Sequence, residues 1–179
     1  MRRWDHKPWH PVWDARIFTL NEIHAIHPVR KAPVTYYALD SPDWVNVIPV
    51  TPENEVVLIN QYRPGTDSIC LEIPGGIVDS GENPHQTATR ELTEETGYVA
   101  GTVEKIGVVE PNPAILNNRC HTFLARDCRL TSSTALEAEE HIEVVLKPLS
   151  ELPGLVADGS IVHALVVAAF YHYFVTHAK

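Results

Sequence analysis

Gly76-Ile77-Val78-Asp79-Ser80-Gly81-Glu82-Asn83-Pro84-His85-Gln86-Thr87-Ala88-Thr89-Arg90-Glu91-Leu92-Thr93-Glu94-Glu95-Thr96-Gly97-Tyr98 is the stretch that decides how this 179-residue chain is read. Asn83 followed by Pro84 is N-cap and first-turn chemistry, the residues up to Thr96 favour helix, and Gly97 suits the left-handed position just past a helix end. At 3.6 residues per turn Glu91 and Glu95 lie one turn apart and Glu94 falls beside them, so the three carboxylates share a sector about 100° wide. Their repulsion is tolerable on a solvated face, or useful where a divalent cation cancels it. Arg90 is spaced to pair with Glu94, while Ala88 and Leu92 form an apolar stripe that can dock the helix on a sheet with its acidic edge at a cleft.

Immediately upstream, Pro74-Gly75-Gly76 is loop chemistry, preceded by strand-like runs at 68–73, 55–62 and 44–50. Thr51-Pro52-Glu53-Asn54 separates the last two as a turn, which predicts that they pair as a hairpin. Residues 1–40, rich in Trp, His and Pro, predict a short arm and a hairpin from runs at 15–27 and 35–39. Downstream, strands are expected at 99–109, 119–125 and 142–146. A short helical turn is expected at 149–158, then a helix capped by Ser160 and running through Ile161, Leu165, Ala168, Ala169 and Tyr173.

Composition narrows the function classes. Hydrophobic residues make up 44% and charged residues 21% of the chain, a globular balance that argues against disorder, collagen and coiled coil. The formal charge of −9 disfavours nucleic acid and anionic membranes, so a phosphate ligand would need a cation as mediator. Cys70, Cys120 and Cys128 form no CxxC pair, the N-terminal residues lack the apolar run of a signal peptide, and the apolar C-terminal stretch is interrupted by His163 and His172. A cytoplasmic protein with free thiols and no spanning segment is expected. The paired histidines His6/His10 and His24/His27 have no cysteine nearby and read as surface residues rather than a zinc site.

Carboxylates with a backbone carbonyl from a glycine loop are hard oxygen ligands, suited to Mg²⁺ or Mn²⁺, and Mg²⁺ commonly shares substrate phosphates. At these residues the resemblance becomes specific. The segment resembles the Nudix box at every fixed position, with Leu92 and Tyr98 in its apolar slots. Gln61-Tyr62-Arg63 and Leu71-Glu72-Ile73-Pro74-Gly75-Gly76 are similar to the ADP-ribose pyrophosphatase branch of the Nudix hydrolases. The resemblance covers about 36–152. It implies an α/β fold, the Nudix α/β/α sandwich with a mixed sheet, over residues 41–179. It also implies an N-terminal β region, 1–40, serving dimerisation and commonly exchanged between two subunits.

Carried over position by position, the resemblance implies metal binding at Gly76, Glu91, Glu95 and Glu82, with Glu94 nearby in a catalytic or water-contacting role. Arg90 resembles the buried structural partner of the box. The loop glutamates Glu139 and Glu140 stand where this branch places a general base, although the expected spacing falls partly on Ala138. The segment Glu110–Arg119 departs from the branch's usual proline-containing loop. Asn118 and Arg119 there could bind phosphate or sugar, or belong to a structural turn. Arg63 could hold a phosphate or pair with an acid at the strand end, Glu72 could accept from a ribose hydroxyl or brace a loop, and Trp44 could stack on a base or simply pack. The expected activity is Mg²⁺-dependent cleavage of a nucleoside diphosphate sugar, ADP-ribose or an NDP-hexose, by a homodimer. Hydrolysis of another nucleoside diphosphate derivative, such as a dinucleotide polyphosphate or oxidised nucleotide, and a non-catalytic nucleotide-sugar-binding module are the rivals.

Overall fold

A computed structural model describes residues 3–131, 134–136 and 141–177. The chain divides into two compact units, Met1–Pro42 with Glu110–Arg119, and Asp43–Val109 with Cys120–Lys179.

In the first unit β1 (Asp5–His6) and β2 (His10–Asp14) pair antiparallel with one edge of β3 (Thr19–Ile26), and β4 (Pro33–Asp40) pairs with the other. The expected hairpin is β3 and β4, in register from Thr19↔Asp40 to Ile26↔Pro33. The arm adds two strands to it. Within this unit, Leu39 also bridges Leu116.

The second unit holds β5 (Trp44–Pro49), β6 (Glu55–Arg63), β7 (Ser68–Glu72), α1 (Pro84–Thr96), β8 (Tyr98–Val99), β9 (Thr102–Val109), β10 (Cys120–Arg126), β11 (Arg129–Leu130) and β12 (Ile142–Pro148). A 3-10 turn at Leu149–Glu151, α2 (Leu152–Ala157) and α3 (Ala164–His177) complete it. One mixed ladder runs β5-β10-β9, with β5 parallel to β10, and an antiparallel ladder runs β12-β6-β7. The short β8–β11 pair was not foreseen.

Period-2 alternation on buried strands explains how this unit fills both sides of its sheets. Val45 and Val47 of β5, Val57 of β6, and Phe123 and Ala125 of β10 join Ala88 and Leu92 of α1 in one core. Their neighbours Ile48, Val56, Leu58 and Leu124 join Leu152 of α2 and Val166, Ala169, Phe170 and Tyr173 of α3 in the other. Helices thus cover both faces, as the α/β/α expectation requires.

The predicted hairpin of 44–50 with 55–62 is corrected. The Thr51–Asn54 turn forms, with Asn54 left-handed at φ 59°, but only Val50 and Val56 bridge across it. The edge of β5 that β6 would have used is taken by the glycine loop: Val45 N–H donates to Gly76 O at 2.9 Å and Val47 N–H to Pro74 O at 2.8 Å. The C-terminal helix is also corrected. It starts at Ala164 rather than at Ser160, because Ser160–His163 is a non-helical segment that buries Ile161, while the first helical bonds go to His163 O. Helix α1 matches its expected bounds, with an Asn83/Gln86 capping box and Gly97 at φ 74°.

Cys120 and Cys128 are buried thiols, and burial pushes them up to about 12 and about 11 respectively. Among the described residues no helix is long and apolar enough to cross a membrane.

Candidate active site

The glycine loop is where the two structural demands meet. Its backbone is stitched to β5 by the bonds just given and by Val78 N–H donating to Asp43 O at 2.8 Å. On its other side stands α1. Gly75 N–H donates to Glu95 Oε2 at 2.8 Å, and Glu95 is only 2% exposed. A Cβ added at Gly76 would lie 2.3 Å from Glu91 Oε1, and one at Gly75 2.2 Å from Val45 O. Gly75 therefore demands glycine, because its Cβ would meet the backbone of β5, while at Gly76 the absent Cβ lets a carboxylate lie against the loop.

Arg90 gathers the remaining acids. Its guanidinium contacts Glu82 at 3.1 Å, Glu91 and Glu94 each at 2.9 Å, and Asp79 at 3.4 Å. The bond to Glu82, first among these influences, raises the arginine's pKa further above its usual value. Glu82 is held below the usual carboxylate range by the Arg90 bonds and by a bond donated from Thr87 Oγ1. Arg90 is 27% exposed, so it braces the acids at the rim and is not enclosed in the core.

One cation faced by so many carboxylates leaves the cluster with surplus negative charge. Oxygen-only donors, a glycine that admits Glu91 beside the Gly76 carbonyl, and the second lone pair of that carbonyl make a set that fits a hard divalent cation. Among the described residues, no three His, Cys, Asp or Glu side chains converge on one point as a preformed metal cage.

On the cavity side of the same loop, Trp44, Asn46, Arg63, Gly75, Gly76, Ile77, His163 and Leu165 line a space of about 330 Å³. Glu72 lies behind it, 2% exposed, and takes a two-pronged bond from Arg63, Nε to Oε1 at 2.9 Å and a terminal nitrogen to Oε2 at 2.8 Å. Burial alone would raise the Glu72 carboxyl, but the bonds from Arg63 and then His163 outweigh it and hold the group at about 2. Glu72 therefore braces Arg63, and Arg63 pairs with an acid while still facing the cavity.

The structure thus brings Trp44, Arg63, Glu72, Gly76, Glu82, Glu91, Glu94 and Glu95 into connected surroundings. Asn118 and Arg119 belong to the other unit. Asn118 is 2% exposed and its Nδ2 donates to Pro42 O at 2.9 Å, which is the structural turn. Arg119 is exposed on that unit. Glu139 and Glu140 lie outside the described residues. His163 and Asn46 were missed: His163 is 91 residues from Glu72 and bonds it at 2.7 Å, and neither residue sits in a local pattern that would flag it.

A family model described as the NUDIX domain matches residues 41–170. The chain is 33% identical over 132 residues to an ADP-ribose pyrophosphatase of Bacillus subtilis, covering 73% of this chain and 71% of that one. It is 36% identical over 143 residues to an ADP-sugar pyrophosphatase of Mus musculus, covering 74% and 66%. A crystal structure of an ADP compounds hydrolase superposes with a TM-score of 0.84 at 23% identity, covering 96% of this chain and 92% of that one, a likeness of fold.

Proposed function

The chain belongs to the NUDIX family, and on that premise we propose that it is a Mg²⁺-dependent hydrolase of nucleoside diphosphate sugars, with ADP-ribose or an NDP-hexose yielding a nucleoside monophosphate and a sugar phosphate. The observation that carries the proposal is the acidic helix laid closely against the glycine loop, with Glu91 and Glu95 on one side and an Arg63-bearing cavity on the other.

Glu91, Glu95 and the Gly76 carbonyl are the residues that would hold the cation, with Glu82 and Glu94 available beside them through their shared tie to Arg90. Bound there, Mg²⁺ or Mn²⁺ would neutralise the diphosphate, polarise its P–O bonds and make a bound water acidic enough to supply hydroxide near neutral pH. Arg63, preorganised by Glu72, offers its guanidinium to a phosphate oxygen. Trp44 gives the cavity an aromatic wall on which a ring can lie. A general base is assigned to Glu139 or Glu140 on the family resemblance alone. The names of the relatives, which act on ADP-ribose and ADP-sugars, support a sugar-bearing substrate over an oxidised nucleotide. A homodimer joined through residues 1–40 and a cytoplasmic location belong to the same proposal.

The test is a Mg²⁺-dependent hydrolysis screen across ADP-ribose, ADP-, GDP- and UDP-hexoses, dinucleotides and nucleoside triphosphates, with products identified by mass. Preference for a diphosphate sugar is expected. Glu95→Gln should lower kcat by about a thousandfold while the melting temperature stays within a few degrees, since Gln keeps an acceptor for Gly75 N–H. An unchanged rate in Glu95→Gln would sink the metal assignment.

A further inference from the structure

The cavity beside the glycine loop contains one imidazole that the acidic helix does not explain. His163 lines it from the irregular segment just before α3, with its Nδ1 2.7 Å from Glu72 Oε2. Glu72 stays ionised at neutral pH, and an ionised carboxylate only accepts hydrogen bonds. The proton in this contact therefore sits on Nδ1, so Nε2 is the ring nitrogen left to meet a ligand, and in the uncharged ring it is an acceptor. A carboxylate fixing an imidazole's tautomer in this way is the arrangement by which proteins aim the other ring nitrogen at a ligand.

What that nitrogen can meet follows from its sign and its place. A lone pair repels phosphate oxygens and pairs with O–H or N–H groups. Arg63 bonds the same Glu72 oxygen at 2.8 Å, so its guanidinium and the imidazole stand within about 6 Å of one another. A phosphate on Arg63 and a group on His163 are thus separated by the reach of a single phosphate-bearing sugar, short of that of a sugar with a base beyond it.

Resting on the hydrolase reading above, we propose that His163 is a specificity-determining residue whose Nε2 accepts a hydrogen bond from a hydroxyl of the sugar joined directly to the phosphate held by Arg63. Glu72 is its positioning residue, fixing the tautomer that makes this possible. The cavity accordingly selects sugars by a hydroxyl and not by charge.

Two measurements on the full chain test this. The first compares kcat/KM for ADP-ribose with analogues lacking one hydroxyl, in either ribose, in wild type, His163→Phe and His163→Gln. One deoxy position should cost wild type about tenfold, the value of one hydrogen bond between neutral groups with its partner left unpaired. His163→Phe should lose about the same on intact ADP-ribose, chiefly in KM, and show no further loss on that analogue, with His163→Gln intermediate. Which ribose carries the sensitive position identifies the sugar. Discrimination in His163→Phe equal to wild type for every analogue would overturn the proposal.

The second measurement needs no turnover. The ¹⁵N spectrum of His163 should show the Nδ1–H tautomer in the wild type and a weaker preference for it in Glu72→Gln, which keeps one acceptor oxygen but loses the charge. Its Nε2 resonance should move when ADP-ribose is added without metal. An Nε2–H tautomer, or an Nε2 resonance unmoved by ADP-ribose, would overturn the inference even if hydrolysis is robust. A moving resonance with no hydrolysis of any nucleotide sugar would uphold the inference and overturn the hydrolase reading.

Discussion

Two ionic clusters flank the same glycine loop, and they are built on opposite terms. Around Arg90 one guanidinium serves Asp79, Glu82, Glu91 and Glu94, side chains that range from 12% to 69% exposed. Around Glu72 one carboxylate, 2% exposed, is served by both Arg63 and His163. The first is short of positive charge and open to solvent, which suits it to the cation proposed above. The second ties a buried carboxylate through both oxygens to two partly exposed partners, so its geometry is set by the protein itself. On the proposed function, the contrast separates the part of the site that would change occupancy from the part that would keep its shape.

The contrast can be broken most severely at the loop itself. Gly76→Ala places a Cβ 2.3 Å from Glu91 Oε1, and a carboxylate at the end of a flexible chain can swing away. We expect kcat to fall about a hundredfold with a stability change below about 1 kcal/mol, read by steady-state rates beside thermal melting. A large stability loss with normal kcat would show that the contact is packing alone.

Glu72→Gln attacks the matched cluster and should cost about 2 kcal/mol in urea unfolding at pH 7, discounted because Arg63 is partly exposed. Because the folded pKa of Glu72, about 2, lies below the ordinary carboxylate value, its contribution is present above pH 4.5 and is lost as pH falls toward 2. The gap between wild type and Glu72→Gln should therefore close across that window, and a gap independent of pH would contradict the ion-pair account.

Arg90→Gln sharpens the other side. Without Mg²⁺ it should destabilise by about 1 kcal/mol, a modest figure because the pairs are partly exposed, and the variant should gain more than wild type in melting temperature when Mg²⁺ is added. An equal Mg²⁺ gain in both proteins would break the proposed link between surplus charge and cation binding. The smallest effect belongs to Asn83→Ala, which removes the acceptor for His85 and Gln86 N–H and should cost about 1 kcal/mol or less in melting experiments, with kcat nearly unchanged.

How much of this was legible in the sequence follows the range of the interactions. Helix α1 was readable to its ends because Asn83, Pro84 and Gly97 act on their own backbone within a few residues. The acidic face was readable because helical periodicity alone sets it. Strand β5 was recognised, but its partners were not, because its edges are claimed by residues 74–76 and 120–125, and nothing in Trp44–Pro49 names them. Glu72 and Arg63 were picked out by motif, and His163 was not, since the bond that gives it meaning spans 91 residues. Asn118 carried recognition chemistry on paper, yet it spends its amide on Pro42 O, as the neighbouring Asn117 spends its own on Ser41 and Asp40.

The parallel pairing of β5 with β10 has a consequence for how the protein comes into being. Residues 44–49 close their ladder only on residues 120–125, and the glycine loop and acidic helix lie in the chain between them. Contacts of such sequence separation form slowly, because loop closure must precede the energy that rewards it. On a ribosome, the acidic helix can cap and coil early, but its groove cannot exist until synthesis has passed Arg126 and that strand has emerged. Nascent chains stalled before that point should carry a formed helix and no binding site.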